Sequence, residues 1–125
     1  MFKIPLTEKV KKELKPALWG NAQKQIFSEI RRGNASVFLT KNKSMLVVAR
    51  MEAGEFVVVA VVGKDLLNNR QEIIDLARAS RAKIIRFHTR NPEHLKKGLR
   101  GLRAVLFAQR PRTFGRDEYI YKVSV

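Results

Sequence analysis

The chain has 125 residues, 45% of them hydrophobic, and its 26 Lys and Arg residues against 11 Asp and Glu residues give a formal net charge of +15. This size and composition predict one folded domain over residues 1–125 and exclude a disordered basic tail. The lack of cysteine excludes a disulfide framework and a thiolate metal site, and the longest apolar run, Phe56–Val62, is far shorter than the roughly 20 residues of a membrane-spanning helix.

The first part of the chain predicts an edge strand followed by two helices. Phe2–Leu6 has strand-forming residues. Thr7 is a suitable N-cap for a helix that Pro16 should kink and Gly20 should end. Asn21 can cap the second helix.

The middle of the chain predicts three antiparallel strands. Apolar and β-branched residues dominate Val37–Leu39, Met45–Met51 and Phe56–Val62, and the short polar segments Lys41–Lys43 and Glu52–Glu55 separate them as turns. The third strand is apolar at every position, so it should lie in the centre of the sheet, covered on both faces.

The second half predicts two helices and three strands after a loop over Gly63–Asn69. The helices are Arg70–Arg81 and one that begins at Asn91-Pro92 and carries Leu95, Leu99 and Leu102; the strands are Lys83–Thr89, Val105–Ala108 and Glu118–Val125. The complete order is β-α-α-β-β-β-α-β-α-β-β. It predicts an α/β (α+β) domain whose mixed, mainly antiparallel sheet has helices on both faces.

This order, in a chain of about this length, resembles the GNAT fold of the Gcn5-related N-acetyltransferase superfamily. The most similar region runs from the helix over Arg70–Arg81 through the strand KIIRFHTRN to Arg103–Val105. Tyr119–Val123 is similar to the closing strand of that family. The resemblance implies an acyltransferase that holds the pyrophosphate of acetyl-CoA on backbone N–H groups after the fourth strand.

The segment that would hold the pyrophosphate departs from the family pattern. It has one glycine, Gly63, followed by Asp65 and two leucines, where the family has a glycine-rich loop that cradles an anion. An acetyl-CoA site here would use Gly63, Lys64 and Asn69. No catalytic residue is assigned. Phe56–Val62 lacks the carboxylate that the family often places on this strand. Arg100 or Leu99 occupies the position at which the family usually has the tyrosine that acts as general acid.

The histidines and serines give no catalytic or metal site either. His88 and His94 are six positions apart, and the sequence offers no third ligand beside them. We interpret His88 as a hydrogen-bonded structural residue. No Gly-x-Ser-x-Gly motif is present.

Basic side chains of the second half form a candidate nucleic-acid surface. The turn Arg110–Arg116 combines three arginines with Phe114, which suits phosphate contact and base stacking, although a solvated hairpin tip has the same composition. The full predicted surface consists of Arg86, Arg90, Lys96, Lys97, Arg100, Arg103, Arg110, Arg112 and Arg116.

Two functions from different classes follow from these observations. The leading hypothesis is a noncatalytic binding protein without a cofactor, similar to the small, basic, degenerate GNAT-like proteins of tailed phages and prophages, which contacts nucleic acid or serves in a virion or its assembly. The alternative is an N-acetyltransferase that uses acetyl-CoA with a divergent pyrophosphate loop. A third hypothesis is a structural module whose strands pair with a partner or with a second copy. We expect a cytoplasmic or virion-associated protein without a membrane partner.

Overall fold

The computed structural model describes residues 1–18, 21–111 and 116–125. Within them the elements are, in chain order, β1 (Phe2–Ile4), α1 (Glu8–Leu14), a 3-10 helix (Lys15–Ala17), α2 (Asn21–Arg31), β2 (Ser36–Leu39), β3 (Met45–Glu52), β4 (Glu55–Gly63), α3 (Leu66–Ala79), β5 (Ile84–Thr89), α4 (Pro92–Gly98), β6 (Ala104–Arg110) and β7 (Glu118–Ser124). The predicted order of strands and helices is confirmed. In this part of the chain no helix is both long and apolar enough to cross a bilayer.

The described strands form one sheet in the order β1-β2-β3-β4-β5-β7-β6. Neighbouring strands are antiparallel except β4 and β5, which are parallel. β4 is the middle strand, as its apolar run predicts, and Val57 and Val58 near its centre are 0% and 1% exposed. The predicted fold class, a mixed and mainly antiparallel sheet with helices, is therefore confirmed.

Helices cover the sheet on both faces. On one face, Leu14 of α1 and Phe27 of α2 lie in a core with side chains of β2, β3 and β4. On the other face, Ile73 of α3 and Leu95 of α4 lie in a core that extends to β5 and β7. The buried residues of the first core come from no strand beyond β4, so the two layers of helices cover different sets of strands.

The starts of two helices follow from local capping. The N–H of Val10 donates to the Thr7 hydroxyl at 3.2 Å, and the N–H of His94 donates to the Asn91 side chain at 3.3 Å. Pro92 occupies the first helical position after Asn91, where its missing N–H costs nothing. Both caps are as predicted.

The end of the first helix differs slightly from the prediction. α1 ends at Leu14, and Pro16 lies in the 3-10 helix that follows. This agrees with the effect of proline, which has no backbone N–H to continue the α-helical hydrogen bonds. Gly20, the predicted end of the helix, lies outside the described residues.

Helix α3 begins at Leu66, so the predicted loop over Gly63–Asn69 and the predicted helix start at Arg70 are wrong. Asp65 stands at the N-cap, and Asn69 lies inside the first turns of the helix. The reason is tertiary contact, because the side chain of Leu66 packs against α4 and thereby stabilises an additional turn that local capping signals do not predict.

Helix α4 is shorter than predicted. It ends at Gly98 rather than continuing to Leu102, and Gly101 has a φ of +88°, a left-handed conformation that ends helical geometry. Leu99 is still 3% exposed, which shows that a leucine periodicity of four can mark burial beyond the last helical turn.

Gly98 allows α4 to lie against the start of α3. A Cβ at this position would lie 2.7 Å from Cγ and 2.8 Å from Cβ of Leu66. A change of side-chain rotamer cannot relieve both contacts, because Cβ of Leu66 is fixed to the helix backbone, so only glycine fits without a shift of one helix.

The first prediction concerns this contact. Gly98→Ala should lower the free energy of unfolding by about 1–3 kcal/mol, because the added methyl group overpacks the α3–α4 contact. The measurement is urea denaturation, repeated in a Leu66→Ala background. If the cost of Gly98→Ala is the same in both backgrounds, the contact with Leu66 does not explain the glycine.

Candidate functional site

The parallel strands β4 and β5 pair along only part of their length. Their register runs from Glu55 opposite Ile84 to Val58 opposite Phe87. β4 continues to Gly63 and β5 to Thr89, but no further residues of the two strands pair. The register between β3 and β4 shifts at the same level, next to Val48. The centre of the sheet therefore opens into a gap.

Backbone groups of β4 face this gap. The N–H of Lys64 donates to the Ser44 carbonyl on the β3 side at 3.2 Å. Because backbone polar groups alternate between the two edges of a strand, Val62 also points toward β3, and Val61 and Gly63 point toward the gap. Buried or half-buried backbone groups need hydrogen-bond partners, so this edge of β4 is suited to an extended ligand.

Gly63 has a structural reason of its own. Its φ is +121°, and a Cβ would lie 2.9 Å from the Cα of Met45. The end of β4 therefore requires glycine whether or not a ligand binds.

The N-terminus of α3 lies at the end of β4. Asp65 has φ 75° and ψ 48°, and its side chain makes no hydrogen bond to the helix backbone. Both carboxylate oxygens instead accept from the Asn68 side chain at 2.9 Å. The first backbone bond of the helix joins the Asn69 N–H to the Asp65 carbonyl at 3.1 Å. The N–H groups of residues 66–68 therefore lie before the intrahelical ladder, at the positive end of the helix dipole.

Asn69 holds this turn from inside. It is 2% exposed, and its side-chain amide donates to the Ser44 hydroxyl and to the Asp65 carbonyl, both at 2.9 Å. Of the three residues predicted for an acetyl-CoA site, Gly63 and Lys64 line the gap, whereas Asn69 fixes the turn that positions them.

The gap widens into a cleft of about 1510 Å³, larger than the 300–1,000 Å³ typical of small-molecule sites. Both layers of helices contribute to its walls. Lining residues include Asn21 and Gln25 on the α2 side and Leu66, Leu67, His94 and Lys97 on the α3–α4 side. A ligand can therefore reach the centre of the sheet from either face.

A network of charged side chains lies beside the cleft on the face of α1 and α2. Arg86 contacts Glu52 at 2.9 Å and Glu55 at 3.4 Å. Arg50 contacts Glu52 at 3.2 Å and Glu29 of α2 at 3.0 Å. The side chains are partly buried, between 15% and 47% exposed, so the network fixes their positions more than it stabilises the fold.

His88 extends this network into the wall of the cleft. Its Nε2 accepts from Nε of Arg86 at 3.0 Å, and its Nδ1 lies 3.6 Å from a carboxylate oxygen of Glu118. Because a guanidinium only donates, Nε2 has no proton and the neutral ring carries it on Nδ1, facing Glu118. Burial, with the nearby Arg86 charge, holds the pKa of His88 below its usual range, although Glu118 opposes the shift.

Sequence reasoning selected neither partner of this pair for chemistry. Glu118 begins β7, and the register places Thr89 opposite Tyr119 and His88 opposite Ile120. The alternation along β7 therefore places Glu118 on the face that carries His88. The alternation of side chains along β7 could identify Glu118 only if the pairing of β5 with β7 were known, and no local motif specifies that pairing.

The structure does not bring the predicted nucleic-acid residues onto one surface. Arg86 is 17% exposed and ion-paired on the α1–α2 face, whereas Lys96 and Lys97 belong to α4 on the opposite face. Arg90, Arg110 and Arg116 line the cleft. Arg100 and Arg103 lie in the exposed connection from α4 to β6, and Arg112 lies outside the described residues. A nucleic-acid surface stays a prediction.

The described ranges contain no candidate metal site. No group of three or more His, Cys, Asp or Glu side chains is arranged there to hold one.

Solved structures of known proteins share this architecture. A protein from Desulfovibrio desulfuricans assigned to the GNAT acetyltransferase family superposes with a TM-score of 0.66 at 8% identity, over 98% of this chain and 96% of that chain. The ribosomal-protein-S18-alanine N-acetyltransferase of Escherichia coli gives 0.66 at 12% identity, over 98% and 92%. A Salmonella typhimurium protein solved with its cofactor acetyl-CoA gives 0.54 at 15% identity, over 83% and 72%.

These similarities establish the fold. The chain has the GNAT fold along nearly its whole length, as the order of its elements predicts. No protein-family model matches the sequence, and no curated protein sequence matches it significantly.

The second prediction concerns the electrostatics of the cleft wall. The imidazole of His88, followed by proton NMR and assigned with a His88→Gln variant, should titrate with a midpoint below 6.5. Arg86→Gln should raise this pKa by removing a nearby positive charge, and Glu118→Gln should lower it further. Shifts of the same sign in both variants would contradict the contacts described.

Proposed function

We propose that the chain is an N-acetyltransferase that binds acetyl-CoA in the gap between β4 and β5 and transfers the acetyl group to an amine. The observation that carries the proposal is the end of β4–β5 pairing at Val58 and Phe87 while both strands continue. An opened pair of parallel strands leaves backbone donors and acceptors facing a cleft. The pantetheine arm of CoA is an extended chain with two amides, so it can pair with β4 as a short strand does.

The start of α3 fits the pyrophosphate of the same ligand. The N–H groups of residues 66–68 lie outside the intrahelical ladder, and Lys64 stands directly before Asp65 at the helix end. The side chain of Leu66 is turned against Gly98, which leaves the backbone of this turn approachable despite the missing glycines. The carboxylate of Asp65 opposes an anion, and its bonds to Asn68 hold it away from the backbone N–H groups.

The similar structures support the same function. The Escherichia coli protein is an N-acetyltransferase, and the Salmonella typhimurium protein was solved with acetyl-CoA. Their identity to this chain is 12% and 15%, so they support the proposal through the shared fold rather than through shared residues.

The acceptor amine would approach from the face of α1 and α2. Bound acetyl-CoA supplies an activated acyl thioester, and a protonated amine must lose a proton to attack it. We assign Glu118 as the acceptor of that proton, because it lies in the cleft wall on this face and is only 17% exposed. His88 is a positioning residue that directs its Nδ1–H toward Glu118, while Arg86 fixes its tautomer.

The third prediction tests cofactor binding. Isothermal titration should show one acetyl-CoA per chain, and Asp65→Asn should tighten binding about twofold to fivefold, because it removes a negative charge from the helix end while Asn tolerates the left-handed conformation. Lys64→Gln should weaken it, and Lys24→Gln on the exposed surface of α2 serves as the charge control. Absence of binding in the unmodified protein would refute the proposed function.

The fourth prediction tests the proton acceptor. Transfer to a panel of primary amines can be followed by the thiol of released CoA, and the protein contributes no background because it has no cysteine. Glu118→Gln should lower kcat by about a hundredfold or more without changing the affinity for acetyl-CoA. Asp117→Asn, at the neighbouring position, is the matched control. Equal losses in both variants would remove Glu118 from the mechanism.

A further inference from the structure

The outer edge of β6 carries an exposed apolar surface. Val105, Leu106 and Phe107 are 64%, 48% and 61% exposed, and they make up three of the six large hydrophobic side chains that are exposed in the described residues. Among the described strands, β6 is the last of the sheet and pairs only with β7. Its other edge therefore presents apolar side chains together with backbone donors and acceptors, a combination that other chains can bind by strand addition.

The apolar edge is bounded by positive charge. Arg103 precedes β6 and Arg110 ends it, and both are exposed. They are seven positions apart, which corresponds to about 23 Å along an extended strand. The Nζ atom of Lys122 lies 3.9 Å from the centroid of the Phe107 ring, but it is paired with Glu55 at 2.8 Å, so the charges offered to a partner are those of the two arginines.

These charges argue against a second copy as the occupant. Antiparallel pairing of two β6 strands about their centre would place Arg103 of one copy opposite Arg110 of the other, at both ends. Like charges directly opposite each other in a strand pair are destabilising. The register shift next to Leu106 bends the strand, a further feature that disfavours pairing of identical edges. Each copy also carries a net charge of +15.

We propose that β6 binds an extended segment of another protein that has an apolar centre of about six residues and carboxylates at both ends. The length follows from the spacing of the two arginines, and the acidic ends follow from their charge. The apolar side chains of this site lie away from the acetyl-CoA cleft, because β7 lies between β6 and β5, and only Arg110 also lines the cleft. Peptide binding is therefore measured without acetyl-CoA, and the inference stands independently of the proposed enzymatic function.

The test uses two capped, fluorescent octapeptides. One is Glu-Val-Thr-Val-Thr-Val-Thr-Glu, and its counterpart has Lys at both ends and the same centre. Fluorescence anisotropy with the full chain should show about tenfold tighter binding of the Glu peptide, and the difference should shrink between about 10 mM and 150 mM ionic strength. Equal affinities would overturn the proposal.

Variants separate this site from the general attraction of a basic protein for acidic peptides. Phe107→Ser should weaken binding of the Glu peptide, whereas Met51→Ser, at another exposed hydrophobic residue, should not. The double variant Arg103→Glu, Arg110→Glu should reverse the preference between peptides. The control double variant Lys9→Glu, Lys24→Glu lowers the net charge by the same amount and should leave the preference for the Glu peptide in place. A reversal in this control would overturn the proposal by showing attraction without a site.

Sedimentation velocity tests the other occupant. The unmodified chain should sediment as a monomer. A concentration-dependent dimer that Phe107→Ser abolishes would show that a second copy, and not an acidic segment, occupies β6.

Discussion

Two parallel strands at the centre of the sheet stop pairing before either strand ends, and the rest of the site depends on that separation. β4 and β5 are paired through Val58 and Phe87, and each then continues without the other. Strand pairing normally satisfies the backbone groups of a buried sheet. Here the remaining residues of β4 face a cleft instead, and the start of α3 follows directly at its end. Two residues hold this turn at the end of β4 in place. Asn69 of α3 fixes it from the inside, and Gly98 lets α4 lie close to it.

Charge is distributed around this opening with a clear division between the faces of the sheet. Toward α3 and α4, the cleft offers backbone N–H groups, Lys64 and Lys97, all of which favour an anionic ligand. Toward α1 and α2, it offers the partly buried carboxylate of Glu118 and the neutral imidazole of His88, and His88 accepts from Arg86, which is already paired with glutamates. The net charge of +15 is a property of the whole chain, whereas the groups suited to proton transfer, Glu118 and His88, lie beside a network of paired charges.

The sequence predicts what local chemistry determines. The order of elements, the central position of β4 and the caps at Thr7 and Asn91 follow from periodicity, apolar runs and side-chain hydrogen bonds within a few residues. The features it does not predict depend on contacts distant in sequence. Leu66 is helical because α4 lies against it, and Glu118 enters the cleft because β7 pairs with β5. The three consecutive exposed apolar residues of β6 look like any other buried strand until its place at the edge of the sheet is known.

Amide hydrogen exchange of Val61 and Gly63, with and without acetyl-CoA, tests the central claim most directly. These two N–H groups face the gap, while that of Val62 faces β3. Acetyl-CoA should slow exchange at Val61 and Gly63 and at residues 66–68, and should leave exchange at Val62 nearly unchanged. Binding that protects other residues while these amides exchange as before would show that the gap between β4 and β5 is not the acetyl-CoA site.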